Sequence, residues 1–323
     1  MATKLITVFG GSGFVGRHLV RALAKRGHRI RVAVRRPDLA FHLQPLGSVS
    51  QIQPIQANLR YPASVDAAVK SADAVVNLVG ILAESGRQTF SSVQSEGARN
   101  VAKACQNANI SNFVQMSALG ADSNSSSVYA QTKAYAEHIA SQLVPNATII
   151  RPSIVFGPED NFFNQFAGLA KVLPALPLIG GGDTKFQPVF VGDVAELIAK
   201  AIDGEIKLGQ TYELGGPDVM SFKEILQYIL DVTGRKRLLV PIPFPIAMVQ
   251  AAIMEWLPGQ MLTRDQVRLL QQDNVVSVEA LAEHRTLNGV GIKAASVSAI
   301  VPTYLYKFRK TGQFEKINKV EHN

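Results

Sequence analysis

Two rhythms of apolar residues alternate along the first half of the chain. Short apolar runs end in glycine or a polar turn. Between them lie longer segments whose apolar residues recur every three or four positions. This is the pattern of strands and helices in a parallel sheet covered on both faces. Residues 5–9 read as a strand running into glycines. Residues 14–26 read as a helix with Val15, Leu19 and Leu23 on one stripe and Gly27 just beyond its end. Further strands are expected at 29–34, 51–57, 74–79, 113–116 and 148–151, with helices at 64–71, 90–106 and 129–143. The fold class is therefore α/β, a doubly wound parallel sheet of Rossmann type.

After Pro152 the rhythm changes, and proline and glycine thicken through Gly157, Pro158, Pro174, Pro177 and Gly180 to Gly182. The pattern predicts a first domain over 1–155, with sheet elements returning at about 187–216, and a smaller mixed lobe over 156–323 interleaved with it. Strand-like runs at 188–191 and 212–214 alternate there with helical patterns at 194–202 and 222–232. Residues 241–257 are the most apolar stretch, yet they fall short of the ~20 residues of a bilayer span and contain three prolines. They read either as a core helix of the second lobe or as an interfacial, partner-docking helix that makes peripheral membrane contact.

Composition narrows the picture. Of 323 residues 47% are hydrophobic and 18% charged, so a sizeable core is expected. The net charge of +8 suits an anionic partner. Basic residues concentrate only near Arg26 to Arg36 and in the tail from Lys307 to Lys319, without any nucleic-acid motif, so no nucleic acid is expected. The single cysteine, Cys105, excludes a disulfide framework and reads as a buried thiol, and no metal site is expected. A first strand beginning near Lys4 leaves no room for a leader, which predicts an intracellular protein.

Candidate chemistry starts at Gly10-Gly11-Ser12-Gly13-Phe14-Val15-Gly16, between the first strand and first helix. Glycines there allow a tight turn and bring backbone N–H groups and a helix N-terminus against a pyrophosphate. At the end of the second strand, where an acidic residue would bind an NAD ribose, stand Arg35 and Arg36. Two guanidinium forks suit a 2′-phosphate, so NADP(H) is expected over NAD(H). Tyr129 and Lys133, four residues apart, share a helix face and could form a proton-transfer pair.

With these residues the chain resembles the short-chain dehydrogenase/reductase superfamily in its extended or atypical branch. The resemblance rests on the glycine turn, Asn77-Leu78-Val79-Gly80, Ser117, Tyr129-x-x-x-Lys133 and Arg151-Pro152-Ser153. It implies that Asn58 and Leu59 flank the adenine, and that Leu78, Val79 and the Pro152 to Ile154 backbone lie near the ribose and nicotinamide. It further implies that Lys133 binds ribose, and that Ser117, Tyr129 and Lys133 are the catalytic set. Ala118 stands where a second hydroxyl is usual, and only twelve positions separate Ser117 from Tyr129.

A narrower resemblance runs through 155–164, Phe190 to Ala195, Leu262-Thr263-Arg264-Asp265-Gln266-Val267 and Asp273-Asn274-Val275-Val276-Ser277. These segments are similar to the alpha-subcomplex subunit nine family of respiratory complex I. That implies an NADPH-binding accessory subunit beside the membrane and quinone region. Its place would be the cytoplasmic face of a bacterial inner membrane, or the matrix side in a mitochondrion. An autonomous NADP-dependent reductase, epimerase or dehydratase, and an NmrA-like soluble nucleotide sensor, are the other readings.

Overall fold

The computed structural model describes residues 3–256 and 262–310. Strands β1 (Leu5–Phe9), β2 (Arg29–Val34), β3 (Ile52–Gln56), β4 (Ala74–Asn77), β5 (Phe113–Met116) and β6 (Thr148–Pro152) alternate with helices α1 (Phe14–Lys25), α2 (Pro62–Val69), α3 (Glu96–Asn107) and α4 (Val128–Leu143). The second half supplies β7 (Val155–Phe156), α5 (Phe163–Val172), β8 (Ala175–Ile179), β9 (Lys185–Phe186), β10 (Val189–Phe190) and α6 (Val191–Asp203). It continues with β11 (Thr211–Leu214), β12 (Met220–Ser221), α7 (Phe222–Thr233), β13 (Leu238–Ile242), α8 (Phe244–Met254), α9 (Arg264–Leu269) and α10 (Val278–Ala282).

The main sheet is seven-stranded and parallel, in the order β11-β6-β5-β4-β1-β2-β3. Side chains alternate between two cores. Ile6, Val8, Ile30, Val32, Val76 and Val114 face one core with α1 and α6, while Phe9, Ala33, Val75, Phe113 and Ile149 face the other with α2, α3 and α4. The central strands are buried on both faces and mostly apolar, and polar side chains within them are hydrogen-bonded inside: Thr7 Oγ1 donates to the Ala68 carbonyl at 2.9 Å, and the Asn77 amide donates to Gln115 at 2.9 Å. Cys105 lies in the second core, fully buried, and desolvation pushes its thiol up to about 12. The strand order reverses between β1 and β4, which opens a crevice at their carboxyl ends.

The second lobe packs Phe156, Phe163, Phe186 and Phe222 between α5 and α7. It is stitched to the first by the segment after α9. Asn274 N–H donates to the Lys185 carbonyl at 2.7 Å, and its side-chain oxygen accepts from Ser153 Oγ at 2.7 Å. Ser277 N–H donates to Glu213 Oε2 at 2.8 Å, on edge strand β11.

Two expectations change. The helix expected over 90–106 begins as a π turn at Ser91–Ser95 before α3. Thr89 and Ser92 start that turn by exchanging side-chain-to-backbone hydrogen bonds at 3.0 and 3.1 Å. The apolar stretch 241–257 is not a core helix. Its start lies in β13, paired with β8, and α8 follows Pro243; Leu257 lies outside the described residues. Only Ala247 and Ala251 of α8 are buried, because small residues let it lie close against Val267 of α9. Ile246, Val249, Ile253 and Trp256 form the outward stripe, Trp256 being 89% exposed.

The seat of α1 against α6 ends in a buried ionic knot. His28, fully buried, accepts the Lys4 N–H on Nδ1 at 3.3 Å, which leaves Nε2–H to donate to Asp203 at 2.8 Å. Arg26 also binds Asp203, at 2.5 Å. Burial alone would raise the Asp203 carboxyl, but the hydrogen bonds of Arg26 and His28 and the charge of Arg26 hold it below its ordinary value. Asp203→Asn leaves these donors imperfectly paired and should cost about 3 kcal/mol in denaturant unfolding at pH 7. A carboxyl held low stabilises the fold above its ordinary pKa, and that contribution disappears as pH falls through the depressed value. The gap between wild type and variant should therefore close below about pH 4.

Candidate functional site

β1 ends in a turn that only glycine can make. Gly10 has φ +77°, its N–H donates to the Ala33 carbonyl at 3.1 Å, and its carbonyl accepts from Gly13 N–H at 3.0 Å. A Cβ on Gly16 would overlap the Gly10 carbonyl oxygen, so α1 reaches this turn only because residue 16 has no side chain. The N-cap residue of α1 is Gly13, which offers no capping side chain, and its first turn carries no acid. The orphan N–H groups and the positive helix end therefore face the cleft.

That cleft has a volume of about 300 Å³. Gly10, Ser12 and Gly13 form its floor, Ala33 to Arg35 and Ala57 to Arg60 one end, and Leu78 to Ile81 with Gln88 and Val93 the other wall. The wall is set by Asn77, whose Oδ1 accepts from Val79 N–H at 3.2 Å while its amide donates to Gln115 at 2.9 Å. Arg35 donates to Gln88 Oε1 at 2.6 Å and keeps its guanidinium at the rim. Arg36 does not line the cleft; it turns away to pair with Asp38 at 2.6 Å. Arg60 takes up the second cationic position, tied to the Arg87 carbonyl at 3.1 Å.

Deeper in, the π turn carries Gln94 into the interior, 2% exposed, with neither amide atom hydrogen-bonded. Such an orphan costs roughly 1–3 kcal/mol unless a ligand satisfies it. A Cβ added to Gly80 would sit 3.2 Å from Lys133 Nζ and 3.7 Å from Gln94 Oε1, so these groups converge on one spot behind the cleft wall. The glycine floor, the open helix terminus and this unsatisfied amide fit an extended dinucleotide.

Lys133 Nζ is buried and donates to the Met116 carbonyl at 3.3 Å. Desolvation pushes it down to about 8, against the opposing charge of Glu137. It lies 5.7 Å from the Tyr129 ring centroid, and Phe90 packs edge-on to that ring at 6.0 Å. Desolvation, with Asp265 adding to it, pushes the Tyr129 phenol up to about 12, so at neutral pH it is a proton donor and not a base. Ser117 donates its hydroxyl to Glu137, which also receives Arg151 Nε at 2.8 Å and Arg151 Nη2 at 2.6 Å. Ser117 is thereby tied into an ionic chain that reaches Glu213. Ser127 caps α4, and Ser125 supports it in the preceding loop.

Of the residues singled out from sequence, Gly10, Ser12, Gly13, Arg35, Asn58, Leu59, Leu78 and Val79 line the cleft. Phe14 packs on Gly157 and is not among the cleft's lining residues, and Val15 joins the core. Pro152 closes β6 beside β11, and Ile154 belongs to the second-lobe core, where its carbonyl accepts from Val189. Sequence reasoning missed Arg60, Gln88, Gln94 and Glu137. Two of them carried a signal: Arg60 stands directly after the Asn58-Leu59 pair, and Glu137 continues the Tyr129, Lys133 spacing by one more turn.

The profile of the NAD dependent epimerase/dehydratase family matches residues 6–215. An Arabidopsis thaliana protein, the mitochondrial NADH dehydrogenase [ubiquinone] 1 alpha subcomplex subunit 9, is 38% identical over 85% of this chain and 71% of its own. The mitochondrial NADH-ubiquinone oxidoreductase 40 kDa subunit of Neurospora crassa is 28% identical over 96% of this chain and 80% of its own. A dTDP-glucose 4,6-dehydratase of Streptomyces venezuelae, solved with NAD, superposes with a TM-score of 0.70 at 18% identity, covering 93% of this chain and 95% of that one. It shares the fold.

The buried ammonium of Lys133 is costly whenever no nucleotide is bound beside it. Lys133→Met should raise the melting temperature of the nucleotide-free protein. The same change should weaken nucleotide binding about tenfold or more through the lost charge-assisted hydrogen bond. Thermal melts with and without nucleotide read both effects.

Proposed function

The chain belongs to the NAD dependent epimerase/dehydratase family, and from that premise we propose that it is an NADPH-holding accessory subunit of respiratory complex I. The observation that carries the proposal is the similarity to the Arabidopsis and Neurospora subunits, which covers most of both lobes.

The cleft supports a held nucleotide. Arg35 and Arg60 place two guanidinium groups at the end where a 2′-phosphate of the adenosine ribose would lie. Lys133 and Gln94 would hold the far ribose, and the glycine floor with the α1 terminus the pyrophosphate. Bound NADPH carries a transferable hydride. Ser117, engaged with Glu137 in place of a substrate oxygen, favours its retention.

The second lobe supports docking. The stripe of Ile246, Val249, Ile253 and Trp256 on α8, with exposed Leu238 and Val240 on β13, offers an apolar surface. Arg235, Lys236, Arg237, Lys307 and Lys310 supply positive charge close by, since Arg235 Nε donates to the Phe308 carbonyl at 3.0 Å and so joins the two segments. Apolar and cationic groups together suit a membrane-embedded complex with anionic headgroups around it. No described helix is long and apolar enough to cross a membrane, and attachment would be peripheral.

NADPH should bind more tightly than NADH by a factor of tens, each phosphate contact contributing about 1.5–3 kcal/mol. Arg35→Ala should remove most of that difference in calorimetric titration, and equal affinities in the wild type would refute the arginine assignment. In blue-native separation of gently solubilised membranes the chain should migrate with complex I. An Ile253→Asp/Trp256→Ser variant should migrate free while keeping its nucleotide. Free migration of the wild type would count against the subunit reading.

A further inference from the structure

The N-terminus of α4, which presents Tyr129 and Lys133, is covered from the second lobe. Asp265, in the first turn of α9, directs its carboxylate at it. Oδ2 accepts from Ser127 Oγ at 2.7 Å and from Tyr129 N–H at 3.2 Å, and Oδ1 accepts from Val128 N–H at 2.8 Å. An anion there satisfies orphan donors and meets the positive end of the helix dipole. Its side chain is 13% exposed, and Arg268 approaches it to 3.7 Å.

α9 is itself rigidly placed. Thr263 and Gln266 form a reciprocal capping box at its start. Glu255, just beyond α8, accepts from Arg264 N–H at 2.6 Å and from Arg264 Nε at 2.9 Å. Ala247 and Ala251 of α8 pack on Val267 of α9. A continuous path of packed and hydrogen-bonded groups thus runs from the uncovered face of α8, through α9, to the backbone of Tyr129.

We propose that Asp265 is a positioning residue that couples the second lobe to the nucleotide cleft: by fixing the first turn of α4 it makes bound nucleotide and the α8–α9 unit stabilise each other. The proposal rests on the nucleotide-binding reading of the cleft. Coupling of this kind is reciprocal, so whatever holds α8 and α9 in place tightens the nucleotide, and the nucleotide tightens α9.

Hydrogen exchange on the full-length protein, with NADPH as ligand and its affinity measured separately by calorimetry, tests this. In the wild type NADPH should slow exchange of the α9 amides by about tenfold. Asp265→Ala should bind NADPH roughly tenfold more weakly, with the slowing at α9 lost but that at the glycine turn kept. Ser127→Ala, which removes one of the three contacts and leaves the acid in place, should fall between the two, and serves if Asp265→Ala does not fold. NADPH binding to the wild type without any change at α9 overturns the coupling alone, as does an Asp265→Ala protein with unaltered slowing. Failure of NADPH to bind the wild type overturns the coupling and the nucleotide reading together.

Discussion

The close approach of α1 to the Gly10 carbonyl is the contact on which the remaining geometry hangs. With no Cβ at Gly16 the helix can begin directly behind the turn, and its free N–H groups come to the floor of the cleft. The same seating fixes where α1 ends, and so where Arg26 meets Asp203 at the end of α6. One missing methyl group therefore sets both ends of a twelve-residue helix. A larger residue would push α1 off the sheet, and the anion-binding end and the ionic knot would move together.

The two lobes are not separable units. β11 and α6, from the later half of the chain, complete the first lobe's sheet and its helical layer. The segment carrying Asn274 and Ser277 then runs back across the carboxyl ends of β6 and β11. Contacts so distant in sequence raise the contact order of the fold, and they make local damage in the second lobe felt at the first.

Much of this could be read from the sequence because the signals were local. Leu5 to Phe9 followed by four glycines in seven residues specifies a strand, a turn and a helix start from backbone chemistry alone. The parallel sheet followed from short, mostly apolar runs alternating with segments of helical spacing. Side-chain direction was not legible. Arg35 and Arg36 look equivalent in sequence, yet Asp38, two residues on, claims the second and leaves Arg60 to take its place. The π turn has no pattern of its own, and without it Gln94 could not be placed. In α8 hydrophobicity said that the residues were apolar, but the alanine spacing decided which of them the protein keeps for itself. Asp265 belonged to a recognised motif, but its role depends on a contact 136 residues away in the chain.

The chain's one cysteine has a use beyond filling space. Cys105 sits on α3 between the sheet and the helical layer, and only its thiolate form reacts with electrophiles. Sealed from water and shifted far toward the thiol, it is silent in the closed molecule. Each alkylation event therefore records one excursion in which that flank of the sheet has come apart. The protein carries its own single-site clock for local opening, with no engineered label and no second thiol to confuse the count.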